Sequence, residues 1–225
     1  MSMRNAVHPG KGIWHDDIEP LGVSIAEAAL HIGVSCGELN DVVNGKVPVS
    51  PEMSIRLYKA FGASVSIRRR LQASYDLAQV FHSAHGIKVK RLGNPLGEIG
   101  LPTSSPLHPG QVLLHECLEP LGLTVAEAAE HLGVSYEELD DLVNCRTSLT
   151  PELIIRIDQA FGGHPQKWSA LQANYDVAKV AMERAHEIKV RRLWRQDPDT
   201  HEPILLDTSG AEATTATADG ENFVK

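Results

Sequence analysis

The chain repeats itself with a period of 100 residues. The stretch from His8 to Val80 aligns without a gap with the stretch from His108 to Val180, and roughly half of the paired residues are identical. One inserted residue then brings IKVKRL (87–92) into register with IKVRRL (188–193). Solenoid repeats are shorter, at about 20–50 residues. Two copies of this long period therefore indicate two similar domains in one chain.

The repeat sets the domain organisation. We predict a first domain over residues 1–92, a linker rich in Gly, Pro and Ser over 93–106, and a second domain over 107–194. Residues 195–225 combine low hydrophobicity with many Thr, Ala and acidic residues, which predicts a disordered acidic tail.

Composition excludes several classes of protein. No apolar run approaches the ~20 residues of a membrane span. The three cysteines show no CxxC spacing, which argues for a reducing compartment and against a disulfide framework or a zinc finger. We therefore expect a cytoplasmic protein without membrane contact, metal or cofactor.

Helix start and stop signals predict five short helices in each copy, and thus an all-α fold. Leu-Gly pairs end the first helix, Ser/Thr-x-x-Glu capping boxes open the second and third, and Ser-Pro or Thr-Pro pairs open the fourth. The fifth helix carries LQASYDLAQV (71–80) or LQANYDVAKV (171–180). The alternating IKVKRL and IKVRRL segments fit a short strand or a helix end, and we favour the strand. The capping boxes are Ser24–Glu27, Ser35–Glu38, Thr124–Glu127 and Ser135–Glu138.

The second and third helices of each copy have the pattern of a helix-turn-helix, at residues 24–46 and 124–146. Two short helices joined by a tight turn need a small residue where they cross, which Ala29 and Ala129 provide. The turn needs a backbone conformation that glycine adopts readily, as at Gly33 and Gly133.

These motifs together resemble the lambda-repressor-like (Cro/XRE) group, and within it the HigA/VapI type of antitoxin regulator. The resemblance covers residues 7–82 and 107–182. It is carried by HPG (8–10, 108–110), EPLG (19–22, 119–122), the Ala-Ala and Gly-Val-Ser core of each helix-turn-helix, Val-Asn-Gly-Lys (43–46), Pro-Glu with Arg (51–56, 151–156), Ala-Phe-Gly (60–62, 160–162) and Leu-Gln-Ala with Tyr-Asp (71–76, 171–176).

The resemblance implies a bacterial or phage regulator that binds operator DNA as a two-fold dimer, often represses its own operon and in many cases neutralises a toxin. This chain departs from the pattern because two copies are fused, which predicts an internal pseudo-dimer and leaves further dimerisation open. Ile25 or Val125 stands where the group often has a phosphate-binding Gln, and Cys145 replaces the Gly of Asn-Gly-Lys.

The candidate DNA-binding residues are the polar or small ones at the starts of the helix-turn-helix helices and along the third helix. Asn can read adenine, while Ser and Lys can reach phosphate. With two different recognition helices about 34 Å apart, the target would be an imperfect inverted repeat in double-stranded DNA. The candidates are Ser24, Ser35, Cys36, Gly37, Asn40, Asn44 and Lys46 in the first copy, and Thr124, Ser135, Tyr136, Asn144 and Arg146 in the second.

Charge opposes this prediction in the second copy. Residues 1–92 carry a net charge of +3, whereas residues 107–194 and the segment 195–225 carry −5 each. DNA affinity rests on Lys and Arg that neutralise phosphates. The second recognition helix instead presents four carboxylates, at Glu137, Glu138, Asp140 and Asp141. The alternative function is therefore a protein-interaction module, such as a toxin-neutralising antitoxin or a scaffold, that has lost direct DNA readout.

Other candidate sites favour structural roles. The pairs His8/His108, His15/His115 and His31/His131 fit a helix-start turn or half-buried packing, and His82 with His85 has metal-ligand spacing in one copy only. Tyr75-Asp76 and Tyr175-Asp176 fit interhelical hydrogen bonds. Cys36 is interpreted as a small filler or an oxidant sensor. Without a catalytic triad, phosphate loop or paired-carboxylate cleft, we expect no enzyme. The sequence thus predicts a HigA-like DNA-binding transcriptional regulator, acting as a repressor.

Overall fold

The computed structural model describes residues 6–83, 86–93, 95–96, 106–192, 194–196 and 203–205. In the first half, a helical segment begins as α1 (Gly10–Gly12), continues through a π-helical stretch (Ile13–Ile18) and closes with a 3₁₀ turn (Glu19–Leu21); α2 (Ile25–Ile32), α3 (Cys36–Val43), α4 (Pro51–Phe61) and α5 (Val65–Ser83) follow.

The second half repeats this order. The helical segment consists of α6 (Pro109–Leu113), a π-helical stretch (Leu114–Leu118) and a 3₁₀ turn (Glu119–Leu121), followed by α7 (Val125–Leu132), α8 (Tyr136–Val143), α9 (Pro151–Phe161) and α10 (Pro165–Arg184). The all-α prediction is confirmed for both halves. Beyond them, β1 (Trp194–Gln196) pairs antiparallel with β2 (Pro203–Leu205), so part of the segment predicted to be a disordered tail is paired. The remainder of that segment lies outside the described residues.

Local sequence signals account for most helix ends. Ser24 N donates to Glu27 Oε2 at 2.8 Å and Glu27 N donates to Ser24 Oγ at 3.2 Å, which completes the predicted capping box of α2. Thr124 and Glu127 form the same box at α7. Gly33 and Gly133 end these helices with φ of 73° and 69°, values that favour glycine.

The capping boxes predicted for α3 and α8 form only in part. Ser35 Oγ accepts from Glu38 N at 3.1 Å, and Ser135 Oγ accepts from Glu138 N at 3.1 Å. The glutamate side chains make no return bond, and both residues are exposed, where water can solvate the carboxylates. The prediction was wrong for this half of the motif, so Glu38 and Glu138 remain as free charges at the starts of α3 and α8.

Each half has a core where its first four helices meet. In the first half, Ala28, Ala29, Ile32, Leu39 and Leu57 are almost completely buried together. Ala29 is 1% exposed, as expected for the close approach of α2 and α3. The second-half core contains the equivalent elements together with Trp168 and Leu171 of its own fifth helix, and it also contains Leu77 and Leu96 from outside that half.

The two halves contact each other along their fifth helices. Helix α5 packs against α10 and α9, while α10 also packs against α4. Leu77 on α5 is 1% exposed and lies in the second-half core. Arg69 forms an ion pair with Asp176 across the boundary, with 3.1 Å between NH2 and Oδ2. The contact between the halves thus combines apolar packing through the fifth helices with one ion pair.

The IKVKRL segment crosses from the first half to the second. Leu92 N donates to the Ala160 carbonyl at 2.9 Å, and Val89 N donates to Gln159 Oε1 at 2.7 Å. Leu96, in the predicted linker, is only 5% exposed. The strand favoured for this segment is absent, because its backbone groups bond to a helix end and a side chain instead of to another strand. We call residues 87–93 the first arm.

The corresponding segment of the second half crosses in the opposite direction. Lys59 Nζ donates to the carbonyls of Ala185 and Ile188 at 2.9 and 2.8 Å, and Arg191 N donates to the His31 carbonyl at 2.8 Å. Val190 packs on the first-half core. We call residues 185–192 the second arm. The predicted boundaries at 92 and 194 follow the sequence repeat. In the structure, however, each arm packs on the half to which it does not belong in sequence.

One buried contact differs in chemistry between the halves. Arg68 and Asp17 form an ion pair in which both side chains are 9% exposed. Burial raises the pKa of Asp17 to about 6, although the Arg68 guanidinium opposes this increase. The equivalent residues Cys117 and Trp168 are fully buried, and burial raises the pKa of the Cys117 thiol to about 12. An ion pair in one half thus corresponds to an apolar pair in the other.

Replacing this ion pair by its second-half equivalent, with Asp17→Cys and Arg68→Trp together, should remove a pH dependence of stability. Because the pKa of Asp17 is raised on folding, its contribution is complete below about pH 4 and is lost as the pH rises through about 6. The wild-type protein should lose roughly 1–3 kcal/mol of unfolding free energy over this range that the double variant keeps, as measured by urea unfolding.

The single change Arg68→Trp is the control for this prediction. It leaves Asp17 buried without its cation and should destabilise the fold by about 3–5 kcal/mol at neutral pH. Parallel pH profiles for the wild-type protein and the double variant would contradict the role assigned to Asp17.

Candidate nucleic-acid interface

The structure brings the predicted first-copy residues to one exposed surface. Helix α3 begins after the N-cap Ser35, and Cys36 and Gly37 in its first turn are exposed. Asn44 and Lys46 follow its C-terminal end and are also exposed, while Asn40 is half-buried. Ser24 lies apart from this set, at the start of α2, where its hydroxyl donates to Glu27 Oε2 at 2.7 Å.

The polar groups of this surface already have partners within it. Asn44 Nδ2 donates to Asn40 Oδ1 at 3.0 Å and to the Asn40 carbonyl at 2.8 Å. Lys46 Nζ lies 3.0 Å from Asp41 Oδ1 in an exposed ion pair. An exposed pair of this kind contributes little energy and exchanges readily with solvent. Lys46 can therefore reach a phosphate only when it leaves Asp41.

The second copy neutralises its own cation more completely. Arg146 Nε lies 2.6 Å from Asp141 Oδ1, and the same guanidinium contacts the Asp140 carboxylate. Tyr136 OH donates to Asp140 Oδ1 at 3.2 Å, and Asn144 Nδ2 donates to the Asp140 carbonyl at 2.8 Å. These carboxylates raise the pKa of Arg146, and Asp140 raises the pKa of Tyr136. Thr124 and Ser135 are exposed N-caps. Helix α8 thus neutralises Arg146, the one cationic residue of the second copy that was predicted to bind DNA.

The arms supply exposed positive charge close to both turns. The second arm bonds to the His31 carbonyl near the end of α2, and a Cβ at Gly33 would lie 2.9 Å from the Lys189 carbonyl oxygen. The first arm accepts from His131 Nε2 at the Lys90 carbonyl, at 2.7 Å. The basic side chains on the arms are exposed at Lys88, Lys90, Arg91, Lys189, Arg191 and Arg192.

Two other basic residues are unavailable, although Arg68, Arg69 and Arg70 are consecutive in the sequence. Arg68 is buried against Asp17, and Arg69 is held by Asp176 and by the Val49 carbonyl at 2.7 Å. Only Arg70 is exposed. Sequence reasoning could not separate them, because the acids that bury Arg68 and Arg69 are 51 and 107 residues away.

The histidines have mainly structural positions. His8 and His108 accept from Gly10 N and Gly110 N at the predicted helix-start turns, and burial lowers the pKa of both imidazoles. His15 is exposed and ion-paired with Glu19, so its predicted half-buried packing was wrong; His115 is likewise exposed beside Glu119.

The remaining candidates give no second site. The side chains of His82 and His85 lie outside the described residues. In the part of the chain that the structure describes, no group of His, Cys, Asp and Glu is arranged to hold a metal ion, and no helix is long and apolar enough to cross a membrane. Asp76 and Asp176 each accept from a glutamine of the same helix, at 2.8 and 2.7 Å. Asp176 also accepts from Arg69 of α5, so the predicted interhelical bond forms at Asp176, whereas the bond to Asp76 lies within its own helix.

The paired short helices and exposed third helix in each half define a helix-turn-helix protein. The Helix-turn-helix family profile matches residues 114–168. Virulence-associated protein A' of Dichelobacter nodosus is 34% identical over 122 residues, which cover 54% of this chain and 94% of that protein. Virulence-associated protein I of the same organism is 31% identical over 96 residues, or 43% and 85%. The chain belongs to the Cro/XRE-type helix-turn-helix family that includes these proteins.

Further relatives and solved structures carry related names. Antitoxin HigA-1 of Vibrio cholerae is 33% identical over 72 residues, covering 32% of this chain and 68% of that protein. The structure of Pseudomonas aeruginosa antitoxin HigA with the higBA promoter is 28% identical, with a TM-score of 0.36 and coverage of 38% of this chain and 92% of that chain. Antitoxin GraA is 27% identical, with a TM-score of 0.38 and coverage of 39% and 97%.

The loops that follow α3 and α8 differ in backbone strain at one position. Gly45 adopts φ of 71°, which suits glycine, whereas Cys145 adopts φ of 61° at the equivalent position. A side chain in this left-handed region costs about 1–2 kcal/mol. The loop that carries Arg146 therefore contains strain that the loop carrying Lys46 avoids.

Cys145→Gly should raise the unfolding free energy by about 0.5–1 kcal/mol, since relief of the strain exceeds the added freedom of glycine in the unfolded chain. Urea unfolding under reducing conditions measures the change. The matched control is Gly45→Ala, which should lower stability because it introduces the same strain and places a Cβ 3.1 Å from the His8 ring. Equal stability of Cys145→Gly and the wild-type protein would show that the loop is relaxed with cysteine.

Proposed function

We propose that this protein is a DNA-binding transcriptional repressor in which one chain supplies both helix-turn-helix units of a pseudo-dimer. The observation that carries the proposal is that the α5–α10 contact and the two crossed arms hold two exposed recognition helices in one packed body. The target is double-stranded operator DNA with an imperfect inverted repeat, because α3 and α8 present different side chains. Such a protein works in the cytoplasm and needs no catalytic activity.

The two recognition helices have unequal tasks in this proposal. The first copy offers Asn40 on α3 and Asn44 and Lys46 just after it, with the acids Glu38 and Asp41 on the same helix. Helix α8 offers Asn144 and an Arg146 that two aspartates already hold. We infer that α3 reads bases, using the first-copy residues predicted from the sequence, and that α8 adds contacts through Ser135, Tyr136 and Asn144.

Phosphate binding falls mainly to the arms. Their six exposed basic side chains follow backbone that passes the turn before α3 or α8. Cations beside a recognition helix can neutralise phosphates on the groove walls while the helix contacts bases. This arrangement offsets the acidity of α8 and accounts for binding by a chain whose net charge is −8.

A second function is supported by the ion pairs that neutralise the cations beside both recognition helices. Carboxylates hold Lys46 and Arg146, which leaves the exposed Glu137 and Glu138 without a cation on the surface of α8. A basic protein, such as a toxin, could bind such a surface, and the relative HigA-1 is named as an antitoxin. In this alternative the chain binds a protein partner through α8 and does not read DNA directly.

Removing the acids that hold Arg146 distinguishes the two functions. Asp140→Asn with Asp141→Asn frees the guanidinium and removes two negative charges from the groove-facing helix. If α8 approaches DNA, affinity for a genomic fragment library at low salt should rise about tenfold, and the plot of log K against log salt should steepen by about 1. Fluorescence anisotropy across a salt series measures both quantities.

The control for this prediction has the same change of charge elsewhere. Glu116→Gln with Glu183→Gln alters two exposed acids that are away from α8 and should leave the salt slope unchanged. Lys46→Ala should weaken binding to all sequences alike, while Asn40→Ala should relax sequence preference. No binding at low salt by any of these proteins would reject DNA binding and favour the protein-interaction module.

A further inference from the structure

At the contact between the halves there is a half-open cavity of about 170 Å³ with a mixed polar and apolar lining. It lies between α5, α10 and the loop before α9, and it is large enough for about five water molecules at ~30 Å³ each. The residues that matter for its chemistry are Arg69, Asp76, Leu149, Ser169, Gln172 and Asp176.

The polar walls of this cavity occur twice, once in each half. Gln172 Oε1 accepts from Leu149 N at 2.8 Å, and its Nε2 donates to Asp176 Oδ1 at 2.7 Å. Gln72 makes the equivalent bonds to Val49 N at 2.9 Å and to Asp76 Oδ1 at 2.8 Å. Each half therefore presents a loop carbonyl and a fixed aspartate in the same local arrangement.

The first of these two sites is filled by an arginine. Arg69 NH1 donates to the Val49 carbonyl at 2.7 Å, and NH2 contacts Asp176 Oδ2 at 3.1 Å across the boundary between the halves. The guanidinium thus bridges a carbonyl of its own half and a carboxylate of the other. Planar donors in a fixed fork suit this pair of acceptors.

In the second site a serine stands at the position of the arginine. Ser169 is 7% exposed and lines the cavity, and its hydroxyl has no hydrogen-bond partner among the residues that the structure describes. Within the same part of the chain, nothing donates to the Leu149 carbonyl or to Asp76 Oδ2. The acceptors equivalent to those of Arg69 are therefore free.

The charges around the cavity leave one anion unbalanced. Arg69 and Asp176 offset each other in their ion pair. Among the described residues, Asp76 accepts a hydrogen bond only from the neutral Gln72. Arg69, already paired with Asp176, also attracts the Asp76 carboxylate through space, and burial lowers the pKa of the nearby His8. The net charge of the lining is that of one carboxylate, which favours a cation.

We propose that this cavity is a binding site for a small molecule with a terminal guanidinium group, which would donate to Asp76 Oδ2 and the Leu149 carbonyl as Arg69 donates to Asp176 and Val49. Ser169 leaves the space that the ligand occupies. A bound guanidinium bridges both halves, so it stabilises their contact. The site is independent of DNA binding, and its test does not depend on the proposed function.

The test measures binding of methylguanidinium and agmatine to the full chain by isothermal titration calorimetry at millimolar concentrations, with methylammonium as the control cation. We expect saturable binding of one equivalent of each guanidinium compound and at least tenfold weaker binding of methylammonium, which lacks the planar fork of donors. Asp76→Asn should weaken binding at least tenfold because it removes the charge. Ser169→Arg should abolish binding because its own guanidinium fills the site.

The pseudo-symmetry provides a second, independent measurement. Arg69→Ser empties the first site and should lower the melting temperature, and it should bind two equivalents of methylguanidinium instead of one. Added methylguanidinium should restore part of the lost melting temperature in this variant, whereas Arg69→Lys should recover little with the same additive. If Arg69→Ser does not fold, the wild-type, Asp76→Asn and Ser169→Arg titrations still decide the outcome. No saturation with the wild-type protein, or equal affinity in Ser169→Arg, would overturn the proposal.

Discussion

The exchange of the two arms is the interaction on which the rest of this structure depends. Backbone groups of the first arm bond to Ala160, Gln159 and His131, and those of the second arm bond to Lys59 and His31. Buried polar groups of the backbone are costly to leave unpaired. Each half thus supplies hydrogen-bond partners for the arm of the other half. The two arms together hold the α5–α10 contact in place. The positions of both recognition helices follow from this exchange.

Near-symmetry makes the differences between the halves informative. An ion pair in one half corresponds to Cys117 and Trp168 in the other, and Arg69 corresponds to Ser169. A buried ion pair and a well-packed apolar pair can be close in stability, provided that both partners change together. The exchange of Arg69 for a smaller residue is different, since it leaves acceptors and space unfilled. The fold thus accommodates the replacement of the ion pair by an apolar pair, whereas the replacement of arginine by Ser169 leaves a cavity.

The candidate interface contains two kinds of basic side chain: those held in ion pairs within the chain and those that lie outside these ion pairs. Asp41 holds Lys46, and Asp140 with Asp141 holds Arg146. The exposed cations of the arms, by contrast, lie outside these ion pairs. Long-range attraction of a polyanion would act first on the free charges, and the recognition-helix cations would exchange partners only at close contact. Regulation of affinity through the acids of α8 is a direct consequence.

The sequence by itself determined the helices, the caps of α2 and α7, the turn glycines and the surface that α3 and α8 present, because these depend on residues within four positions of each other. Only the tertiary structure decided the path of the arms, whose backbone groups bond to side chains and helix ends about 40 to 160 residues away in the chain. It also decided that Arg68 and Arg69 are buried, that Glu38 and Glu138 stay free, and that Ser169 borders a cavity. The burial of Arg69 and the cavity at Ser169 depend on which charges and volumes meet between the halves. The burial of Arg68 depends on Asp17, 51 residues away, and the exposure of Glu38 and Glu138 depends on what packs beside their helices, so neighbouring residues in the sequence do not determine either.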